Sequence, residues 1–329
     1  MTTPHHRPGL KTFSGFLGAR KRPSEYDVVT YKLHYRTRNK DAAYEQDPNS
    51  PMNRWYKKYV NASPLQHPDW DSFRDPDQIT YRGYNTMQDG QEQFVDQLLD
   101  DHDANGHDLS LPAAWLNSLE QLYTPARYLM AAMQMCGAYV VQMAPASTIT
   151  NCAAFQEADC FRWLSRIAYR TRELANHHPG RGLARDEVLH WEKLPAWQGF
   201  RELAEKTLAT YDWAEHLVAL NLVAMRAVES GFVHSLSVAA RANGDTLTAM
   251  LCDNHTRDCE RSHRWTAAFV KTALEVEANK AVIERWLHKW VPLGDHAIDS
   301  FCAALPEGAG AAEQAKQSAA AFRGALGFA

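Results

Sequence analysis

The chain has no run of ~20 uninterrupted apolar residues, the length a membrane span requires. Its opening, MTTPHHRPGLKTF, carries no apolar segment of signal-peptide length. From these two absences we expect a cytoplasmic protein that is not embedded in a membrane. Charge of one sign is not in excess either: 35 Lys and Arg against 39 Asp and Glu leave a formal charge of −4. The basic cluster Arg20, Lys21 and Arg22 is too short to make a nucleic-acid footprint. Six cysteines, Cys136, Cys152, Cys160, Cys252, Cys259 and Cys302, form no CxxC pair. Most fall in apolar helical pattern, where cysteine behaves as a small, reduced, buried hydrophobe. GxGxxG, GxxxxGK and GxSxG are all missing, and the 15 histidines are scattered. Nucleotide-binding and nucleophile-elbow chemistry are thereby left without a motif.

What the chain does have is enough apolar residue, 45% of 329, for one large helical domain or two smaller ones. It is unevenly punctuated. Residues 1–90 hold 8 of the 15 prolines and 8 of the 13 tyrosines, so this third is expected to be an extended, locally turned arm. The densest part, Pro51 to Glu92, carries Trp55, Tyr56, Tyr59, Trp70, Phe73, Tyr81 and Tyr84 between Pro51, Pro64, Pro68 and Pro76. Such an arm cannot bury its rings against itself and must lie along its own body or along a neighbouring subunit. We take Trp55, Tyr56, Trp70, Phe73, Tyr81 and Tyr84 as candidate subunit-interface anchors. His5 and His6 read as part of a mobile arm.

From Gly90 the pattern becomes helical. Phe94, Val95, Leu98 and Leu99 open a first helix, followed by a charged loop, DHDANGHD. A longer helix is expected from about Leu111, with Trp115, Leu119, Leu122, Leu129, Met133 and Cys136 on one stripe, ended by Pro145. Its antiparallel partner should run from about Ala146 to His177, capped by Ser147 or Thr148. His177 to Gly199 reads as the long crossover between the two halves of a bundle. A second hairpin follows: about Gln198 to Ala242, bent near Gly231, then Asn243-Gly244 as the turn and Asp245 as cap for a helix to about Leu274. Val282, Trp286, Leu287 and Trp290 mark a last helix, stopped by Pro292. The alanine- and glycine-rich residues 306–329 are expected to form a frayed tail, leaving 91–305 as the helical domain.

Several strings in this framework resemble one family. They are the Pro51–Glu92 segment, RKRPSEYDVVTYKLHY at Arg20 to Tyr35, MAPASTITNC at Met143 to Cys152, WLSRIAYRT at Trp163 to Thr171 and YDWAEHLVALNLV at Tyr211 to Val223. Together they resemble the β subunit of the hydroxylase component of bacterial multicomponent diiron monooxygenases, in the branch that oxidises toluene, related aromatics and small alkenes. The resemblance implies an all-α, ferritin-like bundle in a heterohexamer of two α, two β and two γ chains. It also implies a diiron centre in α alone, and electrons passed from NADH through a reductase and a Rieske ferredoxin. A small effector protein would dock on the hydroxylase.

The residues themselves bear on whether this chain holds iron. A ferritin-like diiron site takes a Glu from each of two helices and an ExxH pair from each of the other two. Glu187-Val-Leu-His190 lies in the crossover and reads as a short amphipathic surface turn. Glu260-Arg-Ser-His263 is better placed, but its expected counterpart reads Glu157 with Cys160 and Asp159 with Arg162. Asp258 and Arg261 repeat the Asp/Arg spacing on the later helix, so Asp159, Arg162, Asp258 and Arg261 are expected to form a buried ion-pair network in a vestigial metal site. His177 and His178 complement a helix C-terminus, and Met130, Met133, Met135 and Met143 read as gap-filling core. Glu215 and Glu229 read as salt-bridge or partner-facing residues.

The leading reading is a non-catalytic scaffold subunit with no catalytic residues and no cofactor of its own. Its alternative is a diiron oxidoreductase using Glu120, Glu157, Glu215, Glu260 and His263. A helical adaptor unrelated to oxygenases would leave the family-like strings unexplained.

Overall fold

The computed structural model describes residues 24–30, 49–306, 308 and 310–328. His5, His6, the Arg20–Arg22 cluster and most of the Arg20–Tyr35 string lie outside the described residues. Within them there are helices and turns and no strand. Short helices α1 (Glu25–Thr30) and α2 (Pro51–Tyr56) precede α3 (Tyr81–Ala104) and α4 (Ala113–Ser118). The bundle consists of α5 (Ala126–Met143) with α6 (Ser147–His177), and α9 (Trp213–Ala242) with α10 (Thr246–Ala273). Between these hairpins the crossover carries α7 (Glu187–Lys193) and α8 (Pro195–Leu208). α11 (Ala278–Cys302) and α12 (Ala311–Ala325) close the chain.

α9 sits at the centre. It is long and apolar enough to cross a membrane by length and composition, yet 94% of its apolar window is buried inside the chain. It contains two π-helical stretches, Val218–Ala224 and Val228–His234. Gly231, near which a bend is expected, lies inside the second π-helical stretch, where the regular α-helical pattern is interrupted. It is also a crossing point, where a Cβ would come within 2.9 Å of Ile298 on α11. A further interruption falls upstream, between Leu208 and Trp213, where the Asp212 side chain accepts from the Ala214 and Glu215 amides and starts the helix afresh.

Other boundaries also move, each for a physical reason. α3 begins at Tyr81, capped by Thr80, rather than near Phe94. Its buried face includes Tyr84 and Gln88, and the polar Gln88 hides the stripe from an apolar-periodicity reading. The helix expected from Leu111 to Pro145 is interrupted at Thr124-Pro125, before α5 starts at Ala126. α6 has no side-chain cap, because the Ser147 hydroxyl bonds the Thr30 carbonyl of α1 instead. Asp245 caps α10 through the Thr248 amide as expected, and Gly244 takes the left-handed turn conformation.

α11 runs through Pro292 rather than stopping there, held by buried Trp290, Ala297, Ile298 and Phe301. Residues 311–325 are helical rather than frayed, since alanine is the best helix former and Ala315 and Ala319 are small enough to bury against the body. All six cysteines are buried free thiols. Of the four methionines read as core, Met130, Met133 and Met143 are buried and Met135 is exposed.

The described part of the arm lies along its own body. Trp55 donates to Tyr139 Oη at 3.1 Å and Tyr56 Oη donates to the Gln142 carbonyl at 2.6 Å. Trp70 stacks on Phe269 with ring centroids 5.6 Å apart, and Phe73 is fully buried.

Candidate functional site: a charged seam between two bundle helices

α6 and α10 pack side by side, and each turns an Asp/Arg pair at i, i+3 toward the other. The strongest contacts cross between helices. Arg261 bonds Asp159, and Arg162 Nη1 donates to Asp258 Oδ2 at 3.1 Å. Within each helix the pairs are longer, 3.7 Å for Arg162–Asp159 and 3.3 Å for Arg261–Asp258. The four residues expected to meet therefore do meet, but as an interhelical square rather than as two local bridges.

α3 completes the square from one side. Tyr84 Oη donates to Asp159 Oδ1 at 2.8 Å, and the Gln88 amide donates to both Asp159 and Asp258 at 2.9 Å. Trp163 Nε1 adds a bond to Asp258 at 3.1 Å. Glu92 on α3 balances Arg162 at 2.5 Å and Arg166 at 2.8 Å. Burial first, and then the Asp258 charge, push the Asp159 carboxyl up to about 7 against the pull of Arg261.

A second layer continues along the bundle. The Gln156 and Asn221 amides bond each other reciprocally at 3.0 and 3.2 Å, joining α6 to α9. Thr266 and Ser262 of α10 close the ring at 2.9 Å each. Beyond it, Glu229 accepts from Arg226 at 2.8 Å and pairs with His263 at 2.6 Å. Phe322 of α12 lies over both, 4.7 Å from the His263 ring and 4.9 Å from the Arg226 guanidinium. Sequence reasoning missed the amide ring. Its signal was a lone Asn221 inside the otherwise apolar VALNLVA, a polar residue where only a satisfied network is tolerated.

The remaining candidates are dispersed. Glu120 accepts from the Gly182 amide and pairs with Arg181, while Glu157 accepts from Gln134. Glu215 holds Lys289 and Trp290, and Glu260 is exposed. The alternative ligand set Glu120, Glu157, Glu215, Glu260 and His263 is therefore not brought together. Glu187 is buried, not part of a surface turn; it accepts the Ala184 amide, and His190 meets the Glu120 carbonyl at 3.0 Å. His177 and His178 clasp Asp108, which takes a bidentate contact from buried Arg170.

A diiron centre does not fit these residues. Among the described residues no group of three or more His, Cys, Asp or Glu is placed to hold a metal ion. The two facing carboxylates are already taken up by two guanidinium groups, a phenol, an amide and an indole. A further dication there would stand against both arginines.

Of the interface candidates, Phe73 and Tyr84 are buried inside the chain, which corrects their assignment as outward anchors. Trp55, Tyr56 and Trp70 are half-buried against the core, and Tyr81 is 73% exposed.

Comparison with known proteins agrees with this architecture. The sequence model of the methane/phenol/alkene hydroxylase family matches residues 55–277. The chain is 49% identical, over 90% of its length and 90% of the relative's, to the β subunit of the hydroxylase component of the toluene-4-monooxygenase system of Ectopseudomonas mendocina. It is 26% identical over 70% of its length, and 69% of the relative's, to an oxygenase component of phenol 2-monooxygenase from Pseudomonas sp. strain CF600. A solved structure of toluene 4-monooxygenase with toluene in its resting active site superposes with TM-score 0.83 at 50% identity, covering 85% of this chain and 93% of that one. Phenol hydroxylase from Pseudomonas sp. OX1 shares the fold at TM-score 0.82 and 20% identity, over 100% of this chain and 98% of that one. The chain belongs to the methane/phenol/alkene hydroxylase family.

Proposed function

We propose that this chain is the non-catalytic β subunit of a multicomponent diiron monooxygenase hydroxylase, in an (αβγ)2 assembly that hydroxylates or epoxidises aromatic hydrocarbons or alkenes. The observation that carries the reading is the α6/α10 seam, where crossed Asp/Arg pairs occupy the inward positions of the bundle. The 49% identity to a hydroxylase β subunit supports the subunit role. On this reading the diiron centre lies in the catalytic α chain, and O2 activation and substrate choice belong there. Electrons come from NADH through a reductase and a Rieske ferredoxin, with an effector protein docking on the hydroxylase, and a cytoplasmic location follows from that electron source. This chain binds no cofactor and contributes structure.

Metal analysis and solution mass, measured on the chain alone and co-expressed with a candidate catalytic α chain, test the proposal. Iron only in the larger assembly is the expected result. Near two irons per isolated chain would overturn it.

A further inference from the structure

The ion square and the amide ring meet between α6 and α10, and the packing at that junction leaves a cavity of about 10 Å³. Asp159 and Arg261 of the square, Gln156 and Ser262 of the ring, Trp265 of α10 and Asp75 of the arm line it. Such a volume holds one water and nothing larger.

The groups around this space need a partner that both accepts and donates. Trp265 is 3% exposed, and among the described residues none accepts from its indole N–H. A buried donor left so carries the full cost of its desolvation. The two carboxylates have acceptor capacity to spare, since each can take about four bonds. Asp159 takes three, from Tyr84, Gln88 and Arg261. Asp75 takes two, from the Asp77 and Ile79 amides at 3.0 and 2.9 Å. Gln156 and Ser262 are engaged already, bonded to each other at 2.9 Å.

These demands select the ligand. A metal ion or an ammonium group cannot accept from an N–H and would stand against Arg261. An anion without a proton cannot donate and would stand against two acids. Water accepts and donates at once. Burial raises the Asp75 and Asp159 carboxyls above their ordinary range. Water suits that as well, because it donates to a carboxylate and accepts from a carboxyl O–H.

We propose that this cavity is a site for one ordered internal water, which accepts from Trp265 Nε1 and donates to the Asp75 and Asp159 carboxylates. Among the described residues the Asp75 carboxylate otherwise bonds only its own turn, so the water is its link to the bundle. It fastens the segment before α3 onto the charged seam. The site does not depend on the subunit reading.

A crystal structure of the full chain, alone or within its assembly, at a resolution that orders internal water, tests the site. One density peak is expected within about 2.7–3.2 Å of Trp265 Nε1 and of an oxygen of each carboxylate. No peak there, or a Trp265 N–H bonded directly to a protein acceptor, would overturn it. A second measurement works in solution. Cys152 also lines the cavity and is buried, and Cys152→Val adds about a methyl group to that wall. Displacing the water orphans one donor and takes a partner from two acceptors. The unfolding constant in denaturant should therefore rise about tenfold, and the peak should vanish from the variant's crystal structure. Greater stability of Cys152→Val would mean that the methyl fills a dry space, and would sink the proposal.

Discussion

Two buried seams hold the bundle, and they are built from opposite materials. Between α6 and α10 lie two carboxylates, two guanidinium groups, a phenol and an amide. Along α11, by contrast, the contacts are glycine-on-aliphatic and ring-on-ring. Gly294 meets Val223, Gly231 meets Ile298, Gly199 meets Ala297, and Phe301 packs edge-on to Trp197 and Phe200. Each kind of seam fixes something different. The ion square sets the axial register of α6 against α10, because a slide of one turn would break the crossed contacts together. The glycine seam sets distance, because any Cβ at those crossings collides. Charge in a bundle interior is weak evidence for stability but good evidence for a specified pairing.

Removing one member of the square is expected to have the largest effect. Arg261→Ala, measured at pH 8, leaves Asp159 and Asp258 buried with less positive charge, and a loss of about 3–5 kcal/mol in denaturant unfolding is expected. Replacing the pair together, Arg261→Met with Asp159→Leu, should recover most of that loss. A double replacement as damaging as the single would mean that the square itself supplies net stability.

The glycine seam should respond to volume instead. Gly199→Ala places a Cβ 2.7 Å from the Ala297 Cα and the His296 carbonyl, both backbone and unable to swing away. Overpacking of this kind typically costs about 1–3 kcal/mol. Unchanged stability would mean that α8 and α11 can part at little cost.

The two seams were unequally legible, and their chemistry explains why. Asp159, Arg162, Asp258 and Arg261 stand out because charge at i, i+3 on a helix needs a partner, so the residues named their own site. The crossing of the pairs was not legible, since helix spacing is local and register is not. Asn221 and Gln156 went unread because a single amide in an apolar run looks like noise until its partners on two other helices are known. Pro292 does not stop its helix as expected, because propensity describes an isolated helix and packing of α11 against the body overrides it. Alanine-rich residues 311–325 misled in the same way, their low hydrophobicity concealing a face shaped for close contact.

A pH titration sharpens the charged side of the comparison. The Asp159 carboxyl sits near 7 in the folded chain, above its ordinary range. Between the ordinary range and 7 the folded chain holds the proton and the unfolded chain does not. Its contribution is therefore complete below about pH 4 and is lost as pH rises through 7. Relative to Asp159→Asn, the wild type should lose up to about 1.4 kcal/mol per pH unit across that window. Parallel stability profiles for the two proteins would count against a raised Asp159. Lowered carboxylates such as Asp108 and Asp245 titrate identically in both and cancel.

The smallest expected effect has the opposite sign. Gly90 lies inside α3 with nothing within 4 Å of where a Cβ would stand. Gly90→Ala should stabilise by about 0.4–1 kcal/mol, since alanine restricts the unfolded chain and favours the helix at no steric cost. The same substitution at Gly199 destabilises, so the pair separates glycine kept for a crossing from glycine merely tolerated in a helix. If Gly90→Ala destabilised as well, the loss at Gly199 could not be attributed to the seam. Gly231, whose Cβ would stand 2.9 Å from Ile298, would then be the crossing at which glycine sets the distance to α11.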